Sequence, residues 1–462
     1  MPGPVAPQLA ALVERLLGAP LPVAIRAWDG SQAGPRGDPD APVVVLRHRR
    51  ALRRMLWNPG ELGLARAFVA GELDVDGDLA DGLSRFWRVA KAHGLTGAPS
   101  GDVRPLRGRG ARLRPTPALA RDALALAARL RVLGPRPAPP ASEARLRGGL
   151  HTRRRDRDAI AHHYDLSNAF YTFLLDPQMA YSCGYWTRAP GPGYRLADAQ
   201  RDKLDLICRK LALEPGMRLL DVGCGWASLL VHAAQHYGVH AVGVTLSAQQ
   251  RDLGRDRVAA LGLGDRVDIR LQDYRELGAD APFDAIASIE MGEHVGEGNY
   301  PIYAAQLHRL LRPQGRLLLQ QMSRGATGAN SAPGGGAFME RYVAPDMHMR
   351  PLGETLSLLE AAGLEVVDVH ALREHYVATV RPWLATLEEN RAEAVALIGP
   401  EQYRVWLLYL AGAALAFAEN RMGVHQVLLV RPDDRGRSGL PWGRTSTLGR
   451  DPETDPAIEA VR

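Results

Sequence analysis

Leu220-Asp221-Val222-Gly223-Cys224-Gly225-Trp226 decides the fold. Arg218-Leu-Leu-Asp-Val222 reads as a strand, the glycines make a turn, and residues 228–237 carry helical spacing. A buried strand that passes through Gly-x-Gly into a helix lets the backbone approach a ligand where any Cβ would collide. Outward from this turn the pattern repeats. A helix is predicted over 199–211 before it. Strand 241–245, helix 248–261, strands 267–271 and 283–288, helix 303–311 and strand 315–320 follow it. This β-α alternation predicts a parallel sheet covered on both faces, an α/β Rossmann-like domain.

The turn narrows the ligand. Dinucleotide enzymes use similar turns, but here Ser228 stands where their third glycine would be. An acidic residue, Asp221, precedes the first glycine, as in the turn of class I S-adenosylmethionine-dependent methyltransferases. Asp221 would accept hydrogen bonds near the amino-acid end of that cofactor, with Gly223 and Gly225 giving close approach. The second strand of such folds ends in an acidic residue that holds the ribose. This one ends in Gly243-Val-Thr-Leu-Ser-Ala-Gln-Gln250, so Thr245, Ser247 and Gln250 would supply that contact. The same residues also read as an ordinary helix start with Ser247 as its cap. Gln272-Asp273-Tyr274 follows the third strand and suits adenine, Asp273 accepting from the amino group and Tyr274 lying against the ring.

A chain of 462 residues suggests two or three domains. The formal net charge of +6 admits an anionic partner. Three cysteines match no zinc spacing and fit a reducing cytoplasm. Neither a signal peptide nor an apolar run of membrane-spanning length is read in the chain. Residues 1–103 read as a small mixed domain with a strand at 42–46, a helix at 51–56 and a turn at Pro59-Gly60. The acidic stretch 68–78 lacks the ligand spacing of a calcium loop and reads as structural turns; no metal site is expected. Between 104 and 157, fifteen arginines face three acids, around a helix at 118–133 and a stiff proline linker at 135–140. This segment is either a basic arm for phospholipid headgroups or a solvated linker. It has no interleaved aromatics and no reader motif, which argues against a nucleic-acid partner. The catalytic domain is assigned to 158–432 and a disordered tail to 433–462.

Motifs along the rest of the chain converge. They are His163-Tyr-Asp-Leu-Ser-Asn168, Leu175-Asp-Pro-Gln-Met179, Tyr181-Ser-Cys-Gly-Tyr-Trp186, Gln200-Arg-Asp-Lys-Leu204, the glycine turn, Glu293-His-Val-Gly296, His375-Tyr376 and Trp406-Leu-Leu-Tyr409. In this order they resemble the cyclopropane-fatty-acyl-phospholipid synthase family over about 159–430. The resemblance implies methyl transfer from S-adenosylmethionine to a cis double bond of a phospholipid acyl chain. It adds Tyr181, Ser182 and Ile289 to the candidate cofactor set. A carbocation results, and in the family a bound bicarbonate takes the proton that leaves. That anion is held by a cysteine, a glutamate, a histidine, a tyrosine and backbone. Carried over, these are Cys183, Glu293 and Tyr376. Taken singly, Cys183 also reads as a core residue, Glu293 as a helix start and Tyr376 as a strand aromatic. On the family reading, Glu293→Gln would bind cofactor without turnover.

The histidine is absent; Gln320 takes its position and cannot become cationic. Glu290 stands where many relatives carry a small residue, and would add a negative charge or a base. Residues 323–336 also depart from the pattern. The likeness is strongest to the actinobacterial branch that forms a 10-methylene chain, the precursor of 10-methylstearic (tuberculostearic) acid. It carries with it a separate flavin- or NADPH-dependent reductase partner and an enzyme peripheral to an anionic membrane surface at the inner face of the plasma membrane. Residues 388–418 read as core, as a cover for the acyl channel or as a homodimer face. Ring closure, a soluble amine acceptor, and a non-catalytic scaffold are the alternatives.

Overall fold

In the computed structural model the described residues are 3–35, 38, 40–92, 117–144, 155, 167–278, 281–325 and 335–443. Residues 163–166 and ten of the fifteen arginines between 104 and 157 lie outside them. The strand before the glycine turn, Arg218–Val222, sits inside a seven-stranded sheet. The order is Glu365–Ala371, Met422–Val430, Leu311–Arg324, Phe283–Ile289, Arg218–Val222, His240–Thr245, Val267–Leu271. The last five run parallel, as the alternation predicts. The expectation of a wholly parallel sheet is corrected at one end. Met422–Val430 is antiparallel to both of its neighbours, so the sheet is mixed.

The strands are apolar nearly throughout because both faces are buried. Side chains alternate between two cores at the period of two that a strand imposes. Leu219 and Leu318 pack on one face with Ile207, Leu230 and Val258. Leu220, Leu317 and Leu319 pack on the other with Tyr300, Leu307 and Leu359. Helix Leu196–Lys210 starts three residues earlier than predicted, because Asp198 turns back to accept from Arg195 N at 2.8 Å. Helix Tyr300–Leu310 also starts early, with proline in its first turn, and strand Leu311–Arg324 follows without a loop. Tyr376 lies on helix Arg373–Glu389 rather than on a strand.

The chain divides into two units, Met1–Arg145 with Thr327–Pro345 and Leu387–Ala416, and Leu146–Ala326 with Asp346–Thr386 and Phe417–Arg462. Two segments of the expected catalytic domain therefore group with the N-terminal residues. The N-terminal unit holds a four-stranded sheet ordered Gln32–Ala33, Ala24–Arg26, Val43–Leu46, Leu73–Asp76. The acidic stretch 68–78 is structural. Glu72 pairs with Arg54 at 2.8 Å, Asp74 with Arg404 at 3.1 Å, and Asp78 accepts from Ala80 N. In the same unit Arg66 and Glu143 form a buried pair joined by Tyr342. Helix Arg391–Ala418 breaks at Gly399 (φ 76°) and buries Tyr403, Trp406 and Leu410, in keeping with the core reading of that region. Residues 433–443 correct part of the disordered tail: Asp433 accepts from Arg435 N and Arg437 N and closes a turn. The rest of the tail is outside the described residues. Among the described residues no helix is long and apolar enough to cross a membrane.

Candidate active site

A pocket opens at the C-terminal ends of the parallel strands, where open α/β sheets bind ligands. Of the candidate cofactor residues, Tyr181, Ser182, Asp221, Gly223, Gly225, Thr245, Gln250, Tyr274 and Ile289 line it, together with Lys203, Met291 and His294. Gly223 and Gly225 have left-handed φ values of 84° and 53°. A Cβ on Gly223 would come within 2.7 Å of the Met291 side chain, whereas Gly225 faces open space.

Asp221 is buried, and its Oδ1 has no hydrogen-bond partner. Burial pushes its carboxyl up to about 7, with Lys203 pulling it down. A buried carboxylate beside a glycine cradle fits the ammonium end of S-adenosylmethionine, which would satisfy the orphaned oxygen. Lys203, given no role by the sequence, is fully buried and donates to Ser182 Oγ at 2.9 Å. Burial lowers its pKa, against the nearby Glu290, Asp176, Cys183 and Asp221. Its signal was present: Lys203 falls on the apolar stripe of its helix with Gln200, Leu204 and Ile207.

Two members of the expected cofactor set lie outside this lining. Ser247 does not line the pocket; its hydroxyl caps the following helix by accepting from Gln250 N. Asp273 is also outside the lining and is held by Arg275 through Nε (2.9 Å) and a terminal nitrogen (2.6 Å). Thr245 does face the pocket, its hydroxyl donating to Gln250 Oε1 at 2.7 Å.

At the wall of the pocket, Cys183, Gln320 and Tyr376 gather on the carboxylate of the lining residue Glu290. Glu290 Oε1 accepts from Cys183 N and from Gln320 Nε2, both at 2.8 Å. Glu290 Oε2 accepts from Tyr376 OH at 2.7 Å. The residue sits just past strand Phe283–Ile289 in the left-handed region, φ 52°, a conformation that costs a non-glycine residue about 1–3 kcal/mol. Burial raises its carboxyl, while the bonds from Tyr376, Cys183 and Gln320 and the charge of Lys203 lower it. Gln320 is itself held: its strand partner Gln426 donates from Nε2 to Gln320 Oε1 at 3.1 Å. Cys183 meets the cluster through its backbone; its thiol points to the carbonyls of Gly184 and Leu372, and burial and then Glu290 push it well up. The Tyr376 ring stacks on Phe417 at 4.4 Å.

Glu293 is set apart. It is fully buried and no side chain donates to it; only the backbone N–H groups of Glu293 and Met322 lie near enough to favour its charged form. Burial, and then the charge of Glu290, hold its carboxyl well above the usual range. Of the two carboxyls, Glu290 is the one hydrogen-bonded as an anion. The expected bicarbonate does not fit this arrangement. The Cys183 segment, Tyr376 and the residue in the histidine position already converge on the side-chain carboxylate of Glu290.

The mycolic acid cyclopropane synthetase family matches residues 151–427. A probable fatty acid methyltransferase of Pseudomonas putida is 36% identical over 437 residues, covering 94% of this chain and 98% of that protein. A tuberculostearic acid methyltransferase of Mycobacterium tuberculosis is 32% identical over 441 residues, 93% of each. Among solved structures, a mycolic acid cyclopropane synthase complexed with SAH and CTAB superposes with a TM-score of 0.55 at 32% identity, covering 59% of this chain and 97% of that one.

Proposed function

The chain belongs to the mycolic acid cyclopropane synthetase family and is an S-adenosylmethionine-dependent methyltransferase; on that premise we propose that it methylates the cis double bond of oleoyl phospholipids and yields a 10-methylene branch. The observation that carries the acceptor class is the likeness over more than nine-tenths of the chain to proteins named as fatty acid and tuberculostearic acid methyltransferases. The carboxylate cluster supports the chemistry.

An alkene is a poor nucleophile, so catalysis rests on alignment and on charge placed where the cation develops. When bound, S-adenosylmethionine supplies an electrophilic sulfonium methyl. Asp221 and the turn Gly223–Gly225 would hold its amino-acid end, and Thr245, Gln250 and Tyr274 lie along the rest of the pocket. Tyr181 packs on Trp383 at 5.3 Å, and these π-faces with the Glu290 charge favour a cation nearby. A hydride shift followed by proton loss from the added methyl gives the methylene branch. Saturation to the 10-methyl chain then falls to a separate flavin- or NADPH-dependent reductase. A basic arm at 104–157 would bring the enzyme to an anionic membrane surface, at about 1 kcal/mol per basic residue.

Incubation with methyl-labelled S-adenosylmethionine and vesicles of anionic dioleoyl phospholipid tests the acceptor. Label is expected in the extracted acyl chains. Cofactor binding without any lipid labelling would overturn the reading.

A further inference from the structure

We propose that the Glu290 carboxylate is this enzyme's built-in proton acceptor, standing where a diffusible anion would sit, so that turnover requires no bicarbonate. The inference deepens the methyl-transfer reading above and rests on it. Three donors from three separate parts of the chain, Cys183 N, Gln320 Nε2 and Tyr376 OH, meet on its two oxygens at 2.7–2.8 Å. Such a ring of donors is an oxyanion receptor, and the chain fills it with its own side chain. Glu290 also lines the cofactor pocket, which Cys183, Gln320 and Tyr376 do not. The carboxylate therefore lies between the donors that hold it and the space where methyl transfer takes place.

The fixing extends one layer outward. Gln320 and Gln426 are directly opposite on adjacent strands, and the Gln426 amide donates to Gln320 Oε1. With its oxygen so occupied, Gln320 must present its NH₂ group to Glu290. Gln426 is thus a positioning residue. None of the three donors bonds to the neighbouring Glu293, so the receptor serves Glu290 alone.

The step balances on the acyl chain. Once methylation has left a cation there, a C–H bond breaks and its electron pair becomes the new carbon–carbon bond of the product. The proton goes to Glu290 and leaves to water with product release. No oxidant or reductant takes part.

The test compares the wild-type protein with Glu290→Gly in buffer stripped of carbon dioxide and in buffer with added bicarbonate. Glycine suits the left-handed backbone at this position, so the variant is expected to fold and to bind S-adenosylmethionine, checked by calorimetry. Wild-type lipid methylation is expected to be equal in both buffers. The variant is expected to fall at least a hundredfold without bicarbonate and to recover at least tenfold with it, as the anion enters the emptied receptor. Wild-type activity lost in stripped buffer and restored by bicarbonate would overturn the proposal. So would a variant as active as wild type in stripped buffer, and so would one that binds cofactor but gains nothing from bicarbonate. Absence of wild-type lipid methylation in both buffers would instead count against the acceptor assignment.

Discussion

Glu290 and Gln320 are joined twice. The Gln320 side chain donates to Glu290 Oε1 at 2.8 Å, and the Glu290 backbone N–H donates to the Gln320 carbonyl at 2.6 Å. The pairing locks a strained residue at the end of one strand to the middle of its neighbour. It also makes the orientation of one amide decide whether the carboxylate is supported.

Gln426→Leu releases that amide. A hydrogen bond to a charged group contributes about 1.5–3 kcal/mol, so kcat should fall about tenfold or more while KM for the lipid stays within a factor of two. The low-pH limb of the kcat profile should move up as well. Steady-state kinetics across pH separate this from simple destabilisation, which would leave the limb in place.

Tyr376→Phe removes the only donor found on Glu290 Oε2 among the described residues. That bond favours the ionised carboxylate, so its loss raises the pKa of Glu290. The other groups facing Glu290 are Lys203, Glu293 and the Cys183 thiol. Wild-type activity should decline on acidification already above the ordinary carboxylate range. In the variant the decline should start at higher pH, with activity largely regained in alkali. An equal loss at every pH would show that Tyr376 does not act through Glu290.

Glu293→Gln should be mild, contrary to the expectation from family likeness. Burial favours the neutral form of the Glu293 carboxyl, which an amide matches in charge, so cofactor affinity should hold and turnover should stay within about tenfold. The amide adds donors without partners, so stability should drop by about 1–3 kcal/mol. Glu290→Gln, in contrast, should lose about 10²–10⁴ in kcat. Side-by-side turnover numbers decide which glutamate is the base.

Asp221→Asn should separate stability from binding. The folded-state carboxyl titrates at about 7, above its ordinary value of 3.8. Its contribution to stability is therefore complete below about pH 4 and is lost as pH rises through 7. Without cofactor, the variant should melt higher than wild type at pH 8, and the two should converge towards pH 4. Its affinity for S-adenosylmethionine should fall at least about tenfold, read by calorimetry.

The fold was legible where its causes are local. The strand-turn-helix around Gly223 and the β-α alternation after it depend on residues close in sequence. The antiparallel strand Met422–Val430 was not legible, because it pairs with residues about a hundred positions away across three α-helices. Tyr376 was misplaced on a strand because the β-branched run after it masks a helix that tertiary packing stabilises. For the site, residue types were readable but their convergence was not. Glu290 meets Cys183 and Tyr376 from 107 and 86 positions away. Sequence marked it as an unusual charge; only the assembled sheet shows three donors aimed at it.

The most direct measurement is proton NMR of lipids from a bacterium fed oleate, lacking its own cyclopropane synthase and expressing this chain alone. The ring and the methylene branch are isomers, so mass cannot tell them apart. Vinylic methylene signals are the predicted result, and they should vanish in the Glu290→Gln strain. High-field cyclopropyl signals in their place would contradict the branching account and assign the chain to ring closure.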